Sequence, residues 1–183
     1  MIYIVITVII LALAIVVVVN YNSLVKLKLR TKNAWSQIDV QLQKRFDLIP
    51  NLVETVKAYA VHESAVLENI VKLRTMWVNA QTIDDKNSAN KLLSAALKSV
   101  MAVVENYPEL KANQNFILLQ TKLSDIESQI AFSRQFYNDT VTKYNTKIEL
   151  FPSNIFAKIF GFKETTLYQI EEAEAKTSVK VKF

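Results

Sequence analysis

The chain has 183 residues, enough for one domain and an anchor, and it contains one glycine, three prolines and no cysteine. So few turn-forming residues exclude a turn-rich β fold, and the lack of cysteine excludes disulfides, thiolate metal sites and a cysteine nucleophile. The formal net charge of +5 is small and interleaved with acidic residues, so it suits an anionic membrane surface and does not indicate nucleic-acid binding.

An apolar stretch opens the chain. Residues 2–19 are apolar apart from Tyr3 and Thr7. At a rise of 1.5 Å per residue such a helix spans about 27 Å, which is enough to cross the hydrocarbon core of a bilayer. A cleaved signal peptide is the alternative, but the stretch has no basic residues before it and no small-residue cleavage site after it. We therefore predict a transmembrane anchor over residues 1–21, with Tyr21 at the interface.

Four basic residues follow the anchor: Lys26, Lys28, Arg30 and Lys32. Positive charges that flank a membrane span tend to stay on the cytoplasmic side, and only the α-amine opposes them at the other end. We therefore predict a single-pass protein with its N-terminus outside and the rest of the chain in the cytoplasm.

After the anchor, apolar residues recur every three or four positions, as they do on one face of a helix. This first stripe continues past Pro50, and its members are Leu24, Leu27, Trp35, Ile38, Leu42, Phe46, Ile49, Val53, Val56, Ala60, Leu67, Ile70 and Trp77. A proline inside a helix removes one hydrogen bond and bends the helix. We predict one kinked helix from Asn22 to about Gln81, and the alternative is a new helix with Pro50 at its first position.

Two further helices follow. The polar stretch from Gln81 to Asn87 predicts a loop, and the next stripe predicts a helix over Ser88 to Asn106. The third helix is expected to begin with Asn113 or Asn115 as its N-cap and to reach about residue 150. Its stripe consists of Phe116, Leu119, Leu123, Ile126, Ile130, Ser133, Tyr137, Val141, Tyr144 and Ile148. A helix of this length is expected to pack antiparallel to the first one at a shallow angle.

A short apolar helix is predicted near the C-terminus, with Ser153 as its cap and Gly161 just beyond its end. It is rich in large apolar residues, namely Ile155, Phe156, Ile159, Phe160 and Phe162. We favour a role in closing the end of the bundle as core. The alternative is that it lies in the membrane interface, with Lys158 and Lys163 toward the headgroups. The charged residues 164–183 are predicted to form a mobile tail.

Several stretches stand out in this pattern: AWSQIDVQL and KRFDLIPNLV within 34–53, YPELKAN at 107–113, IAFSRQFYND at 130–139, and FPSN at 151–154. These stretches resemble the motifs of the LemA family, and they occur in the order that the family shows. The resemblance covers nearly the whole chain. The resemblance implies a short membrane anchor followed by a helical bundle in bacterial membranes, with a poorly defined molecular function. It does not single out the family's magnetosome-membrane branch.

The polar residues within these motifs are the candidate interaction residues. They lie on two helices and are Trp35, Asp39, Arg45, Asp47, Asn51 and Glu54 on the first, and Arg134, Tyr137, Asn138 and Asn145 on the second. One interpretation is a binding surface that spans both helices. The other, which we favour, is a set of interhelical hydrogen bonds and ion pairs that fixes the register of the helices.

The ionisable residues do not form a catalytic signature. Asp39 with Glu54, and Asp84 with Asp85, are carboxylates of the kind expected on solvated helix faces. A carboxylate di-metal bundle needs two Glu-x-x-His pairs, whereas His62 is the only histidine. A single glycine cannot supply a glycine-rich phosphate loop. We therefore predict no catalytic residue, no metal and no cofactor.

These observations predict an all-α protein: a transmembrane helix within 1–21, an antiparallel bundle of three to four helices within 22–163, and a tail over 164–183. The expected function is non-enzymatic, a membrane-anchored scaffold or adaptor that presents a helical surface to protein partners, with homo-oligomerisation left open and no nucleic-acid partner. The alternative is a membrane-interface protein that organises or shapes lipid. The candidate residues for that role are Lys26, Lys28, Arg30, Lys32, Ile155, Phe156 and Phe160.

Overall fold

The computed structural model describes residues 1–168, and within that range the protein is all-α, with seven helices and no strand. The helices are α1 (Ile2–Asp47), α2 (Ile49–Lys57), α3 (Ser64–Asn79), α4 (Ile83–Glu105), α5 (Pro108–Lys111), α6 (Gln114–Glu149) and α7 (Ser153–Ile159). The helical class predicted from the sequence is confirmed. Of the predicted C-terminal tail, residues 169–183 lie outside the described residues.

The helices form two compact units. The first, here called the anchor unit, comprises Met1–Trp35 together with residues 134–168. The second, called the bundle unit, comprises Ser36–Ser133. Both long helices, α1 and α6, contribute one segment to each unit, so each unit is described separately below.

The N-terminal part of α1 is long and apolar enough to cross a membrane, and none of its most apolar 18-residue window is buried inside the protein. Isoleucine, leucine and valine side chains are exposed along this whole stretch. A surface of this composition and length matches the hydrocarbon thickness of a bilayer. The predicted membrane-anchoring helix is therefore present, and its orientation across the membrane stays a prediction.

The first helix does not continue to Gln81, so that part of the prediction is wrong. Leu48 separates α1 from α2, and its N–H donates to the carbonyl of Arg45 at 3.3 Å, which is a 3₁₀-type bond. Pro50 lies in the first turn of α2, where a missing N–H leaves no helical hydrogen bond unmade. A new helix thus begins here, as the alternative predicted, but its first residue is Ile49 and Pro50 is its second. Leu48 keeps helical dihedral angles, with φ of −79° and ψ of −17°.

A second break follows at residues 58–63, which form turns between α2 and α3. Periodicity did not reveal it because both helices face one core. Their buried side chains share a cluster that also draws on α4, α5 and α6, and it includes Phe46, Ile49, Leu52, Val56, Ala60, Leu67, Ile70, Leu73, Leu93, Val100, Leu110, Phe116 and Leu123. This cluster is the core of the bundle unit, and each fully buried aliphatic side chain in it contributes roughly 1.5–3 kcal/mol.

The predicted loop from Gln81 to Asn87 is wrong from residue 83 onward, because α4 begins there. Thr82 caps the helix, since its Oγ1 accepts a hydrogen bond from the N–H of Asp85 at 3.1 Å. Asp84 and Asp85 add negative charge to the first turn, where the helix dipole favours it. The polar composition that suggested a loop is the composition of a capped helix start.

The N-cap of α6 is Asn113, one of the two predicted candidates. Its Oδ1 accepts from the N–H of Asn115 at 2.9 Å and from that of Phe116 at 3.1 Å. Its Nδ2 also donates to the hydroxyl of Tyr59 at 2.9 Å, which ties the start of α6 to the turn after α2. The preceding residues Pro108–Lys111 form the one-turn helix α5.

Gly161 ends α7 as predicted. Its φ is +70°, the N–H of Phe162 donates to the carbonyl of Ala157 at 2.9 Å, and Gly161 itself donates to Lys158 at 3.3 Å. This is the Schellman arrangement, in which the glycine adopts the left-handed conformation. Ser153 is not the cap, since Pro152 takes that place. Instead the Ser153 hydroxyl donates to Oδ1 of Asn20 at 3.1 Å.

Candidate functional site

The ten predicted interaction residues fall into two sets, one in each unit. The anchor unit holds Trp35, Arg134, Tyr137, Asn138 and Asn145, and the bundle unit holds Asp39, Arg45, Asp47, Asn51 and Glu54. Each set has its own hydrogen-bond partners, and the two kinds of partner differ.

In the anchor unit, two asparagines of α6 bind an extended segment, residues 163–168, here called the strap. Asn145 donates from Nδ2 to the carbonyl of Thr165 at 2.9 Å and accepts from its N–H at 3.0 Å. Asn138 makes the same pair of bonds to Tyr168, at 3.0 and 2.8 Å. Each amide thus satisfies both main-chain groups of one residue, as a neighbouring β-strand would.

Two tyrosines of α6 add hydrogen bonds to the same strap. Tyr137 donates from its hydroxyl to the carbonyl of Thr166, and Tyr144 donates to that of Lys163, both at 3.0 Å. Burial raises the pKa of both tyrosines above the ordinary value of 10.0, so the hydroxyls remain protonated donors at neutral pH. The two Tyr-Asn pairs, 137–138 and 144–145, are seven residues apart and therefore share one face of α6.

The side chain of Tyr168 contacts two residues of the anchor unit. Its ring stacks on Trp35 with 6.1 Å between centroids, and the guanidinium of Arg134 lies 4.7 Å from its centroid. Trp35 in turn meets Tyr137 edge-on at 5.7 Å. Burial raises the pKa of Tyr168, and the nearby Arg134 charge opposes that rise only in part. All five predicted residues of this unit thus hold the chain's own strap.

The sequence analysis does not predict the strap. The predicted tail began at residue 164, yet the described residues 164–168 are bonded to α6. Tyr144 was placed only on the apolar stripe, and Thr165 and Tyr168 received no role. The available signal was the Tyr-Asn pair repeated after seven residues.

In the bundle unit, Arg45 joins three helices. Its side chain is only 4% exposed, and Nη1 donates to Oδ1 of Asn90 at 2.7 Å and to Oγ of Ser94 at 3.0 Å, both on α4. Its Nη2 lies 2.6 Å from Oε2 of Glu127 on α6. Arg45 therefore joins α1, α4 and α6 through side-chain bonds, the kind of contact that the register-fixing interpretation requires.

Asp39 forms an ion pair with Lys86, with 2.6 Å between Oδ1 and Nζ. The Lys86 ammonium also lies 5.4 Å from the ring of Trp77, which stacks on Phe46 at 4.8 Å. Asp39 thus has a structural partner on α4. The remaining predicted residues of this unit, Asp47, Asn51 and Glu54, are exposed.

The bundle unit has two surface grooves, one on each side of α3, here called the α3 grooves. The groove between α2 and α3 has a volume of about 430 Å³ and is lined by Val53, Lys57, Val61, Ser64, Leu67, Glu68, Val71 and Lys72. The groove between α3 and α4 has about 550 Å³ and is lined by Asn69, Lys72, Leu73, Met76, Leu92, Ala95, Ala96 and Ser99. Neither groove is predicted from the sequence, and the first could not be, because the unbroken stripe predicts α2 and α3 as one helix.

Within residues 1–168, no three histidine, aspartate or glutamate side chains are grouped so that they could hold a metal ion. His62 is exposed, and the Asp85 carboxylate accepts from the Thr82 hydroxyl at 2.6 Å. The carboxylates considered from the sequence thus serve a helix cap at Asp85 and an ion pair at Asp39.

The candidate membrane-interface residues are largely on the surface. Lys26, Lys28, Arg30 and Lys32 are exposed along α1, and the Lys28 ammonium lies 5.7 Å from the Phe162 ring. Ile155 and Phe160 are exposed and Phe156 is half-buried, whereas the residues that α7 buries are Ser153 and Ala157. The favoured prediction that this helix closes the bundle as core is therefore wrong, because its inward face carries small residues.

Known proteins share this sequence pattern. The sequence model of the LemA family matches residues 34–183. The chain is 28% identical over 177 residues to magnetosome protein MamQ 2 of Paramagnetospirillum magneticum, covering 82% of this chain and 65% of that protein. It is 26% identical over 147 residues to protein LemA of Metamycoplasma hominis, covering 78% and 66%. The chain thus spans less than two thirds of the magnetosome protein's length. Because the family match takes in both sets of polar residues, the chain belongs to the LemA family.

Proposed function

We propose that the protein is a membrane-anchored adaptor whose bundle unit binds a protein partner through the α3 grooves. The supporting observation is the exposure of apolar side chains at these grooves, where Val61 is 69% and Val71 46% exposed. Apolar grooves of this kind with a polar rim are a recurrent protein-binding surface.

The polar motif residues support an adaptor rather than an enzyme. Arg45 is bonded to α4 and α6, and Asn138 and Asn145 are bonded to the strap. Side chains engaged in this way position helices and main chain. Their role is to hold the surface that a partner meets.

The groove chemistry favours an amphipathic helix as the bound segment. The sixteen residues of α3 give a surface about 24 Å long, which accommodates three to four turns of a partner helix. The rim of the first groove has two lysines, Lys57 and Lys72, against one carboxylate, Glu68. This rim favours acidic residues beside the partner's apolar anchors. Met76 in the second groove gives a flexible apolar contact.

Photocrosslinking in native membranes tests this proposal. The photoreactive residue p-benzoylphenylalanine replaces Val61 or Val71 in the full chain, and Ser128, exposed on α6 of the same unit, is the control position. We expect one adduct of the same mass from both groove positions and none from position 128. Equal adduct yields at all three positions, or no adduct at the two valines, would contradict groove binding.

Charge reversal sharpens the same experiment. Lys72→Glu should lower the adduct yield at position 71 at least five-fold if the partner carries acidic flanks. Lys122→Glu, at an exposed lysine of α6, should leave that yield unchanged. An equal loss with both variants would mean that overall charge, not the groove rim, controls the interaction.

We further propose a single-pass topology in a bacterial cell membrane, with the N-terminus outside and the bundle unit in the cytoplasm. The support is the exposed basic run that follows the apolar part of α1. A protease added to intact cells should spare the bundle unit and degrade it after lysis. Complete digestion of the bundle unit without lysis would reverse the orientation.

The alternative function, direct organisation of lipid, would depend on the anchor unit. Its supporting observation is the exposure of the basic residues of α1 and of apolar side chains on α7. Val71→Asp places a charge in the groove between α2 and α3, so it would abolish partner binding there and leave lipid organisation intact, which separates the two functions in one variant.

A further inference from the structure

The turn between α6 and α7, together with α7 itself, presents an exposed apolar cluster, here called the corner patch. Its members are Leu150, Phe151, Ile155, Ile159 and Phe160, and Phe151 and Ile159 are 79% and 68% exposed. The inward face of α7 carries Ser153 and Ala157 instead. Large apolar side chains that stand together on a surface mark an interaction site.

Contacts with α1 fix the corner patch at the end of the anchor. The Ser153 hydroxyl is bonded to Asn20 at 3.1 Å, and the ring of Tyr21 meets Phe160 edge-on at 4.9 Å and Phe162 at 5.9 Å. The apolar run of α1 ends at residue 19. If α1 spans the bilayer over that run, residues 20 and 21 lie where the helix leaves the hydrocarbon, and α7 is held at the same depth.

Exposed lysines surround the patch. Lys158 lies on α7 and Lys163 begins the strap, while Lys26 and Lys28 lie on the segment of α1 that follows Tyr21. The acidic side chains of the same corner are Glu149 and Glu164. The excess of positive charge would be attracted to anionic lipid headgroups. The apolar side chains would be buried at the boundary between the headgroups and the acyl chains.

We propose that the corner patch is a second membrane contact, buried in the interfacial layer of the bilayer that α1 spans. Lipid covers the patch, because the hydrogen bond to Asn20 and the ring contact with Tyr21 hold the patch beside the residues at which α1 leaves the hydrocarbon. This contact would fix the rotation and tilt of α1 and would hold the start of the strap at the membrane. It is independent of any partner that the α3 grooves bind.

Depth-dependent quenching in proteoliposomes tests the contact. The chain has no cysteine, so single-cysteine variants of the full chain can carry one environment-sensitive fluorophore. The test position is Ile159→Cys. The matched control is Phe132→Cys, which is 72% exposed and belongs to the part of α6 that lies in the bundle unit. Leu11→Cys within the apolar run reports that the chain has inserted.

The vesicles contain phosphatidylcholine with about one third phosphatidylglycerol and lipids that carry a quencher at the top of the acyl chain. We expect the fluorophore at position 159 to be quenched at least three-fold more than that at position 132, with a blue-shifted emission. In the original chain, quenching at position 159 should be stronger in vesicles with phosphatidylglycerol than in vesicles of phosphatidylcholine alone. Lys158→Gln combined with Lys163→Gln should reduce this difference.

Two results would overturn the proposal. One is equal quenching at positions 159 and 132 in vesicles where position 11 is quenched by deeply labelled lipid. The other is disulfide formation between two Ile159→Cys chains without lipid quenching, which would assign the patch to a second copy. Photocrosslinking at Val61 and Val71 is unaffected by either result, so the adaptor proposal is judged separately.

Discussion

The two units use polar side chains of the same family motifs in different ways. In the bundle unit, Arg45 bonds to the side chains of Asn90, Ser94 and Glu127. In the anchor unit, Asn138 and Asn145 bond to the main chain of the strap. Because the partners of Arg45 are side chains, a substitution of a partner removes its bond. Because Asn138 and Asn145 bond to the main chain, substitutions within the strap should leave these bonds in place. Tyr168 is the exception, since its ring also contacts Trp35 and Arg134.

The largest effect is expected from Arg45→Ala in the bundle unit. The change removes a buried cation and leaves the buried amide of Asn90 without its donor, which together should lower the free energy of unfolding by about 3 kcal/mol. Thermal and denaturant unfolding of the full chain in detergent, followed by circular dichroism, would measure it.

Glu127→Gln is the control for that variant. Its carboxylate is 51% exposed, so the loss of the ion pair should lower the free energy of unfolding by under about 1 kcal/mol. If the two variants unfold alike, Arg45 stabilises the bundle unit only through its ion pair with Glu127, and its bonds to Asn90 and Ser94 contribute nothing.

The next effect is expected from Tyr168→Ala in the anchor unit. It removes the ring that stacks on Trp35 and faces Arg134, contacts worth about 2 kcal/mol together. Tyr168→Phe keeps the ring and serves as control. Fluorescence of Trp35 in a Trp77→Phe background should shift to longer wavelength with alanine and stay in place with phenylalanine. A shift of equal size in both variants would mean that the hydroxyl, not the ring, positions the strap.

Asn138→Ala should have a smaller and local effect. It removes two hydrogen bonds to the main chain of Tyr168, so opening of the strap should become easier by about 1.4 kcal/mol, or about ten-fold in amide hydrogen exchange. Exchange in the bundle unit should not change. Faster exchange in α4 as well would show that the strap stabilises the protein beyond its own unit.

Regular periodicity made much of the fold predictable. The stripe from Phe116 to Tyr144 marked the buried face of α6. Asn113 acted as predicted at the start of α6, and Gly161 acted as predicted at the end of α7. Periodicity failed where two helices face one core, because the stripe keeps its phase across residues 58–63. It also failed at Thr82, since a capping turn has the composition of a loop.

The candidate sites were less predictable, for two physical reasons. Apolar residues do not recur at regular spacing in the strap, and its main chain accepts and donates the bonds to the asparagines of α6. The residue types at 163–168 therefore give no sign of this contact. For α7, composition gave the number of large apolar residues but not which neighbour they meet. Only the contacts with Asn20 and Tyr21 show that small residues face inward while Ile155 and Ile159 face outward.

The stability of the bound strap should depend on pH, and this is the smallest of the expected effects at ordinary pH. It is absent below the ordinary tyrosine pKa, because all three tyrosines are then protonated whether the strap is bound or released. Burial raises the pKa of Tyr137, Tyr144 and Tyr168 above 10.0. With the strap in place these tyrosines keep their protons, whereas in the released state they ionise at the ordinary value. The released state therefore binds fewer protons above pH 10, and stability of the strap that is fully present below that pH is lost as the pH rises.

Hydrogen exchange of the strap, combined with phenolate absorbance, would follow this release. A phenolate of Tyr137 or Tyr144 cannot donate to the carbonyls of Thr166 and Lys163, so ionisation and loss of protection should coincide. Tyr137→Phe combined with Tyr144→Phe should weaken the strap at neutral pH and flatten its alkaline transition. The bundle unit, where Arg45 bonds to Asn90, Ser94 and Glu127, should keep its protection through the same range. A bundle unit that opens together with the strap would remove the distinction between the two arrangements.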